Sequence, residues 1–412
     1  MRKNTLHILF ASIAALLMCA CGAKKEEAYQ GNMKFRNLGS TGIQVAEIGI
    51  GCGVFEYLDS ADSRKYMDIA MDSAINYIDI YDANPKVRSN IGYALQGRRD
   101  KMVIQGHIGS YWNTELNQYE RTRDVVKAKA GFEDLLQRLG TDYIEVGMMH
   151  IFDDMADWDT IANSAYFAYI KQLKEEGKIK HIGMSSHNSA VALAAAKSGL
   201  VEVIMFSLNP AFDRVVSGSN PWDSKTYENL LAGIDPVRTE LYNYCTQHQI
   251  AITVMKTFGG GGRLLDGEKS PLGFTLTTDQ CIAYALANPS VAVALVGSRE
   301  IQHLIDDLHY LVATEEEKDY SSALNKGGQV AEAECTYCGH CTPCPAGIDI
   351  AKVNELLDIA KNGKATNKTR AEYEALEHHA SECTACGACE SRCPFGVPVR
   401  EKMKEAVKTF GK

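Results

Sequence analysis

From Met33 to about Thr314 the chain alternates short apolar runs with longer amphipathic stretches. Eight runs have strand length and strand character: Glu47–Gly53, Tyr77–Asp82, Met102–Ile108, Tyr143–His150, Lys180–Ser186, Val201–Asn209, Ile250–Phe258 and Val291–Ser298. Each precedes a segment of helical spacing. In Arg121–Leu139, for example, Val125, Val126, Phe132, Leu135, Leu136 and Leu139 recur at three- and four-residue intervals. Eight strand–helix repeats in roughly 280 residues predict one α/β domain, a (β/α)8 TIM barrel. A doubly wound open sheet is the alternative. The glycines Gly49, Gly51 and Gly53 lack the further spacing of a dinucleotide-binding turn.

Polar stretches punctuate this pattern. Asp213–Gly233, with Ser217-Gly218-Ser219-Asn220-Pro221-Trp222, reads as a long loop shaping the mouth of the barrel. Glu315–Glu334 reads as a helical linker, Ile350–Lys361 and Val399–Phe410 as helices, and Asn362–Lys368 as a turn. The domain boundaries expected are a signal at 1–21, a polar linker at 22–32, the barrel at 33–325 and a cysteine-rich domain at 326–412.

The N-terminus departs from the pattern. Arg2 and Lys3 precede an apolar stretch from Leu6 to Met18, too short to span a bilayer comfortably and followed by Cys19-Ala20-Cys21-Gly22 and a charged run. It resembles a bacterial lipoprotein signal, which implies export and a lipid anchor on Cys21, with Cys19 as the alternative. An uncleaved anchor holding a cytoplasmic body is the competing reading. The 412 residues carry a formal charge of −9, and no basic run with interleaved aromatics is present, so nucleic acid is not the expected partner.

Cysteine spacing adds the strongest chemical signal. Eight of the 13 cysteines form two runs, Cys335, Cys338, Cys341 and Cys344 followed by Pro345, and Cys383, Cys386, Cys389 and Cys393 followed by Pro394. A C-x2-C-x2-C loop wraps three corners of a [4Fe–4S] cubane, and the fourth thiolate comes from the other run. The expected sets are Cys335, Cys338, Cys341 and Cys393 on one cluster, and Cys383, Cys386, Cys389 and Cys344 on the other. The first run is one residue short before its last cysteine. Zinc or disulfides are the alternatives, but neither explains two runs that each end in Cys-Pro. Cys52, Cys245 and Cys281 read as inert core thiols.

Several segments resemble the aldo/keto reductase family, in particular its members with a C-terminal ferredoxin domain. They are Phe35–Gly42, Asn76-Tyr77-Ile78-Asp79, Leu139–Glu145 running into His150, Ile182–His187, and Met255-Lys256 followed by Gly259–Gly262. The resemblance implies carbonyl reduction with NADPH by an Asp, a Tyr, a Lys and a His. Asp79 and His150 stand at the Asp and His positions, but the Tyr position holds Asn84 and the Lys position holds His107. The family's proton donor is therefore missing. Tyr81 is a candidate replacement, with a packed barrel aromatic the favoured reading. For the nicotinamide cofactor, Ser185, Lys256, Ser298 and Arg299 match binding positions. Ser186 replaces the usual Asn, and Asp307 brings a carboxyl toward the adenine.

Hydride transfer moves two electrons and a cluster passes one, and no flavin fingerprint is present to couple them. The expectation is an iron–sulfur oxidoreductase acting on a small organic substrate or relaying single electrons to a redox partner, with Asp79, His107 and His150 in its pocket. A ligand-binding or scaffold lipoprotein with structural clusters, and an ordinary NADPH-dependent carbonyl reductase, are the alternatives.

Overall fold

The computed structural model describes residues 29, 31–219, 226–227, 230–231, 233–321, 324, 335, 341, 344–361, 367–393 and 396–412. The signal segment, Asn220-Pro221-Trp222, Cys338 and most of the linker before the cysteine-rich domain lie outside them. Twelve strands are described: β1 (Phe35–Asn37), β2 (Gln44–Ala46), β3 (Ile48–Gly51), β4 (Tyr77–Ile80), β5 (Val103–Ile108), β6 (Ser110–Asn113), β7 (Gln118–Arg121), β8 (Ile144–Met149), β9 (Ile179–Ser186), β10 (Val203–Ser207), β11 (Ala251–Met255) and β12 (Val291–Val296).

Eight of them, β3, β4, β5, β8, β9, β10, β11 and β12, close in that order into a parallel barrel, with β12 pairing β3 through Ala294↔Ile48 and Val296↔Ile50. All eight coincide with the apolar runs read from the sequence; seven are shorter than their run at one or both ends, and β9 begins one residue earlier. The trimmed ends carry the polar groups that leave the barrel toward its mouth. Gly49 is a packing glycine, because a Cβ there would stand 2.6 Å from Val293 Cγ1.

Two antiparallel hairpins escape the strand–helix count. β1 and β2 pair below the barrel, where Leu38 and Val45 join Tyr77, Val146 and Val203 in the inner core. β6 and β7 pair directly after β5, with Trp112 opposite Tyr119. The helix expected from Arg121 therefore begins at Val125, with Asp124 capping it through Lys127 N–H at 2.9 Å. In the C-terminal region, helices Ile350–Ile359 and Val399–Phe410 form as expected, and a further helix, Asn367–Glu374, replaces the end of the expected turn. Among the described residues, no helix is long and apolar enough to cross a membrane.

Candidate functional site

The mouth of the barrel opens into a cavity of about 840 Å³, within the range of small-molecule and cofactor sites. Its floor is polar because alternate residues of β4 and β5 point inward. Asp79, His107 and His150 are each 1% exposed and join into one hydrogen-bonded chain. His107 Nε2 lies 3.0 Å from Asp79 Oδ1, and the two histidines meet Nδ1 to Nδ1 at 2.6 Å. Gln105 fixes the inner end, donating from Nε2 to Asp79 Oδ1 at 2.6 Å while its Oε1 accepts from the Tyr77 and Thr253 hydroxyls. The three residues expected in the pocket are thus brought together.

The outer end of the chain is a residue that sequence reasoning missed. The Tyr119 hydroxyl makes a short hydrogen bond to His150 Nε2, with the two rings edge to face and centroids 5.7 Å apart. Tyr119 belongs to the β6–β7 hairpin, which folds back over the barrel mouth. Gly109 makes that reversal: its φ is +91°, and a Cβ there would meet Thr122 O at 2.7 Å. Buried Arg88 holds the hairpin's start, with Nη1 on Gly131 O and Asp134 and Nη2 on Ser110 O. The signal in the sequence was Tyr111-Trp112-Asn113 and Gln118-Tyr119-Glu120 flanking a polar turn with Asn117 at φ +50°.

Asn84 is absent from the cavity lining. Its Oδ1 accepts from Lys86 N–H at 2.9 Å, so it serves as the N-cap of helix Pro85–Leu95. Tyr81 does line the cavity and is 43% exposed, which removes the packed-aromatic reading. Cys52 nearby and partial burial hold its phenol well above the ordinary range. Burial pushes the Tyr119 phenol up to about 12, so it stays protonated at neutral pH. Burial, with His107 and then Arg123 and Arg121 adding positive charge, drives His150 well below the usual imidazole value, so it is neutral there.

Backbone strain marks the same region. Ile151, directly after His150, has φ +46°, and Lys256 has φ +62°. Left-handed β-branched residues are uncommon, and such strain gathers where surrounding structure over-determines it. Here Ser185 supplies part of that hold, accepting from Ile151 N–H at 2.8 Å. Lys256 lines the cavity in the field of Asp79, and burial lowers its pKa.

At the far end of the cavity stand Ser298, Arg299 and Asp307. The Tyr66 hydroxyl donates to Ser298 Oγ at 3.2 Å. Asp307 is 2% exposed, and its Oδ2 has no partner among the described residues. Burial, then Asp306 and Asp279, raise its carboxyl well above the usual range. Ser185, Lys256, Ser298, Arg299 and Asp307 are the residues that would hold a dinucleotide in this cavity.

In the C-terminal region, Cys344, Cys383, Cys386 and Cys389 border one small pocket. This grouping, one thiol from the first run and three from the second, fits a [4Fe–4S] cluster held across the two runs. For the other set, Cys335, Cys341 and Cys393 are described and Cys338 is not. Buried Asn354 donates from Nδ2 to Cys335 Sγ at 3.3 Å, the kind of contact that supports a cluster thiolate. Cys52, Cys245 and Cys281 are buried, and burial raises all three thiols, consistent with inert packing.

Comparison with known proteins agrees with both halves. Residues 47–273 match the aldo/keto reductase family, and residues 331–397 match a 4Fe-4S dicluster domain. The chain is 27% identical over 305 residues to the uncharacterized oxidoreductase YqkF of Bacillus subtilis, covering 69% of this chain and 94% of that protein. It is 31% identical over 167 residues to the uncharacterized oxidoreductase YrpG of the same organism, covering 37% of this chain and 49% of that one. Among solved structures, an aldo-keto reductase from Bacillus halodurans in its holo form superposes with a TM-score of 0.55 at 23% identity, covering 72% of this chain and 96% of that one. The chain belongs to the aldo/keto reductase family and joins that family's barrel to a C-terminal 4Fe-4S dicluster domain.

Proposed function

We propose that this protein is an iron–sulfur oxidoreductase that interconverts a small carbonyl compound and its alcohol in the barrel cavity, exchanging electrons with a one-electron partner. The observation that carries this reading is the buried chain Asp79–His107–His150 at the floor of the cavity. Ionisable side chains cost free energy to bury even when hydrogen-bonded, and the C-terminal mouth of a barrel is where such groups do chemistry. Two [4Fe–4S] clusters, when bound, supply one-electron steps. The barrel residues do the rest: His150 faces the substrate side, His107 and Asp79 hold a proton behind it, and Lys256 contributes positive charge.

The test is turnover by anaerobically reconstituted protein, with reduced methyl viologen as donor and a panel of simple aldehydes and ketones. Substrate-dependent oxidation of the dye supports the reading. Clusters that accept no electrons from any low-potential donor would leave a ligand-binding or scaffold role instead.

A second reading, direct use of NADPH, rests on Asp307. A neutral carboxyl can donate to or accept from an adenine without repelling the phosphates. Fluorescence titration with NADPH decides it, and binding that saturates in the micromolar range supports it. We further propose an extracytoplasmic location with a lipid on Cys21. Incorporation of labelled palmitate, abolished by Cys21→Ala, is the expected result.

A further inference from the structure

We propose that Tyr119 is the proton donor this barrel uses in place of the family's missing tyrosine, supplied through His150 and His107. The inference rests on the oxidoreductase reading and adds the path of the proton.

The geometry allows one self-consistent proton assignment with both imidazoles neutral, and in the state with one more proton the positive surroundings of His150 put the charge on His107. In the first, the Tyr119 hydroxyl donates to His150 Nε2, His150 Nδ1–H donates to His107 Nδ1, and His107 Nε2–H donates to the Asp79 carboxylate. Both imidazoles are neutral, and every bond points inward. The Gln105 amide, pinned by Tyr77 and Thr253, gives Asp79 Oδ1 its second donor. The second state holds one more proton. His107 is an imidazolium against Asp79, its Nδ1–H donates to His150 Nδ1, and His150 Nε2–H donates to the Tyr119 oxygen. The Tyr119 hydroxyl then turns into the cavity.

Reduction runs from the second state to the first. As a carbonyl takes up electrons, Tyr119 O–H passes its proton to the substrate oxygen. His150 Nε2–H replaces it, and His107 Nδ1–H replaces that one on His150. Three protons each move one place, and the net change is neutralisation of the His107 imidazolium and protonation of the substrate oxygen. The hydrogen on carbon arrives with the electrons, either as hydride from a nicotinamide or as a second proton accompanying two one-electron equivalents. Alcohol oxidation is the reverse sequence.

Tyr119 suits this role better than Tyr81. Both line the cavity, but only the Tyr119 hydroxyl contacts a proton store. The charged and titratable groups facing the relay are Asp79, Asp82, Lys256, Arg121, Arg123 and His187. The hairpin holds Tyr119 at 39% exposure, open to the cavity on one side and set on His150 on the other.

The experiment pairs turnover with proton assignment on the full, cluster-loaded chain. With reduced methyl viologen and a panel of aldehydes and ketones, Tyr119→Phe keeps the ring packing and should lower kcat about 100-fold. It should also flatten the fall of kcat with rising pH, and leave KM within about threefold, as loss of an interaction made only in the transition state requires. Tyr81→Phe should keep the pH profile. In parallel, nitrogen-15 NMR of histidine-labelled protein at pH 8 should find His150 protonated on Nδ1 and His107 on Nε2. Tyr119→Phe should shift the His150 Nε2 resonance. His150 protonated on Nε2 at pH 8, or a pH profile lost in Tyr81→Phe and kept in Tyr119→Phe, overturns the proposal. If no panel compound turns over, the oxidoreductase reading fails, and the proton assignment still decides whether the relay exists.

Discussion

At the scale of single residues, His107 on β5 is hydrogen-bonded into the buried chain of the cavity floor, and Asn84 after β4 is a helix cap. A residue committed to capping is replaced at a structural cost. Asn84→Ala should lower stability by about 1 kcal/mol in denaturant unfolding, and Asn84→Tyr should not raise turnover. Asp307 gives a prediction of definite sign. Its folded carboxyl holds its proton more tightly than the unfolded one, so its contribution to stability is whole below the ordinary carboxylate range. That contribution is lost as pH rises toward the folded value. Asp307→Asn should therefore flatten the decline of stability with pH and stabilise the chain at pH 8 by about 1–3 kcal/mol. A thermal unfolding series from pH 5 to 8 measures it. His150 has the opposite sign: its depressed pKa gives stability that is present above the ordinary imidazole value and lost as pH falls below it.

At the scale of elements, the barrel was legible and the hairpins were not. Buried parallel strands are continuous apolar runs, and eight of them separated by helical spacing have few other solutions. β1, β2, β6 and β7 are three or four residues long and partly polar, too short for alternation to stand out. The same contrast holds in the site. Asp79, His107 and His150 could be read because each lies at a strand end whose position the barrel fixes. Tyr119 could not, because its link to His150 spans 31 residues and depends on the hairpin folding back at Gly109. The Asn367–Glu374 helix was missed for a related reason: its residues are largely charged and polar, with only Thr369 and Tyr373 buried. The hairpin is the element on which the relay depends. Gly109→Val, at φ +91° and against Thr122 O, should cost about 1–3 kcal/mol. It should also reduce turnover as far as Tyr119→Phe does, while the far-UV circular dichroism of the barrel is kept.

At the scale of the whole molecule, the chain combines an aldo/keto reductase barrel with a 4Fe-4S dicluster domain. The cysteine runs announce cluster ligation through their spacing along the chain, and Cys344 borders one small pocket with Cys383, Cys386 and Cys389. What spacing could not reveal is Asn354, whose amide reaches Cys335 from a helix 19 residues away. A hydrogen bond to a ligating sulfur stabilises the more negative, reduced cluster. Asn354→Leu should therefore make one cluster harder to reduce and leave the other unchanged, which a potentiometric titration followed by electron paramagnetic resonance resolves.

The division of labour between barrel and clusters is tested most directly by following the clusters themselves. Protein reduced with dithionite and then freed of it should lose its reduced-cluster resonance signal when an aldehyde or ketone substrate is added. The loss should be at least tenfold slower in His107→Ala and His150→Ala. A signal that persists with every carbonyl compound, or that decays equally fast in both variants, would contradict a shared reaction of the two halves.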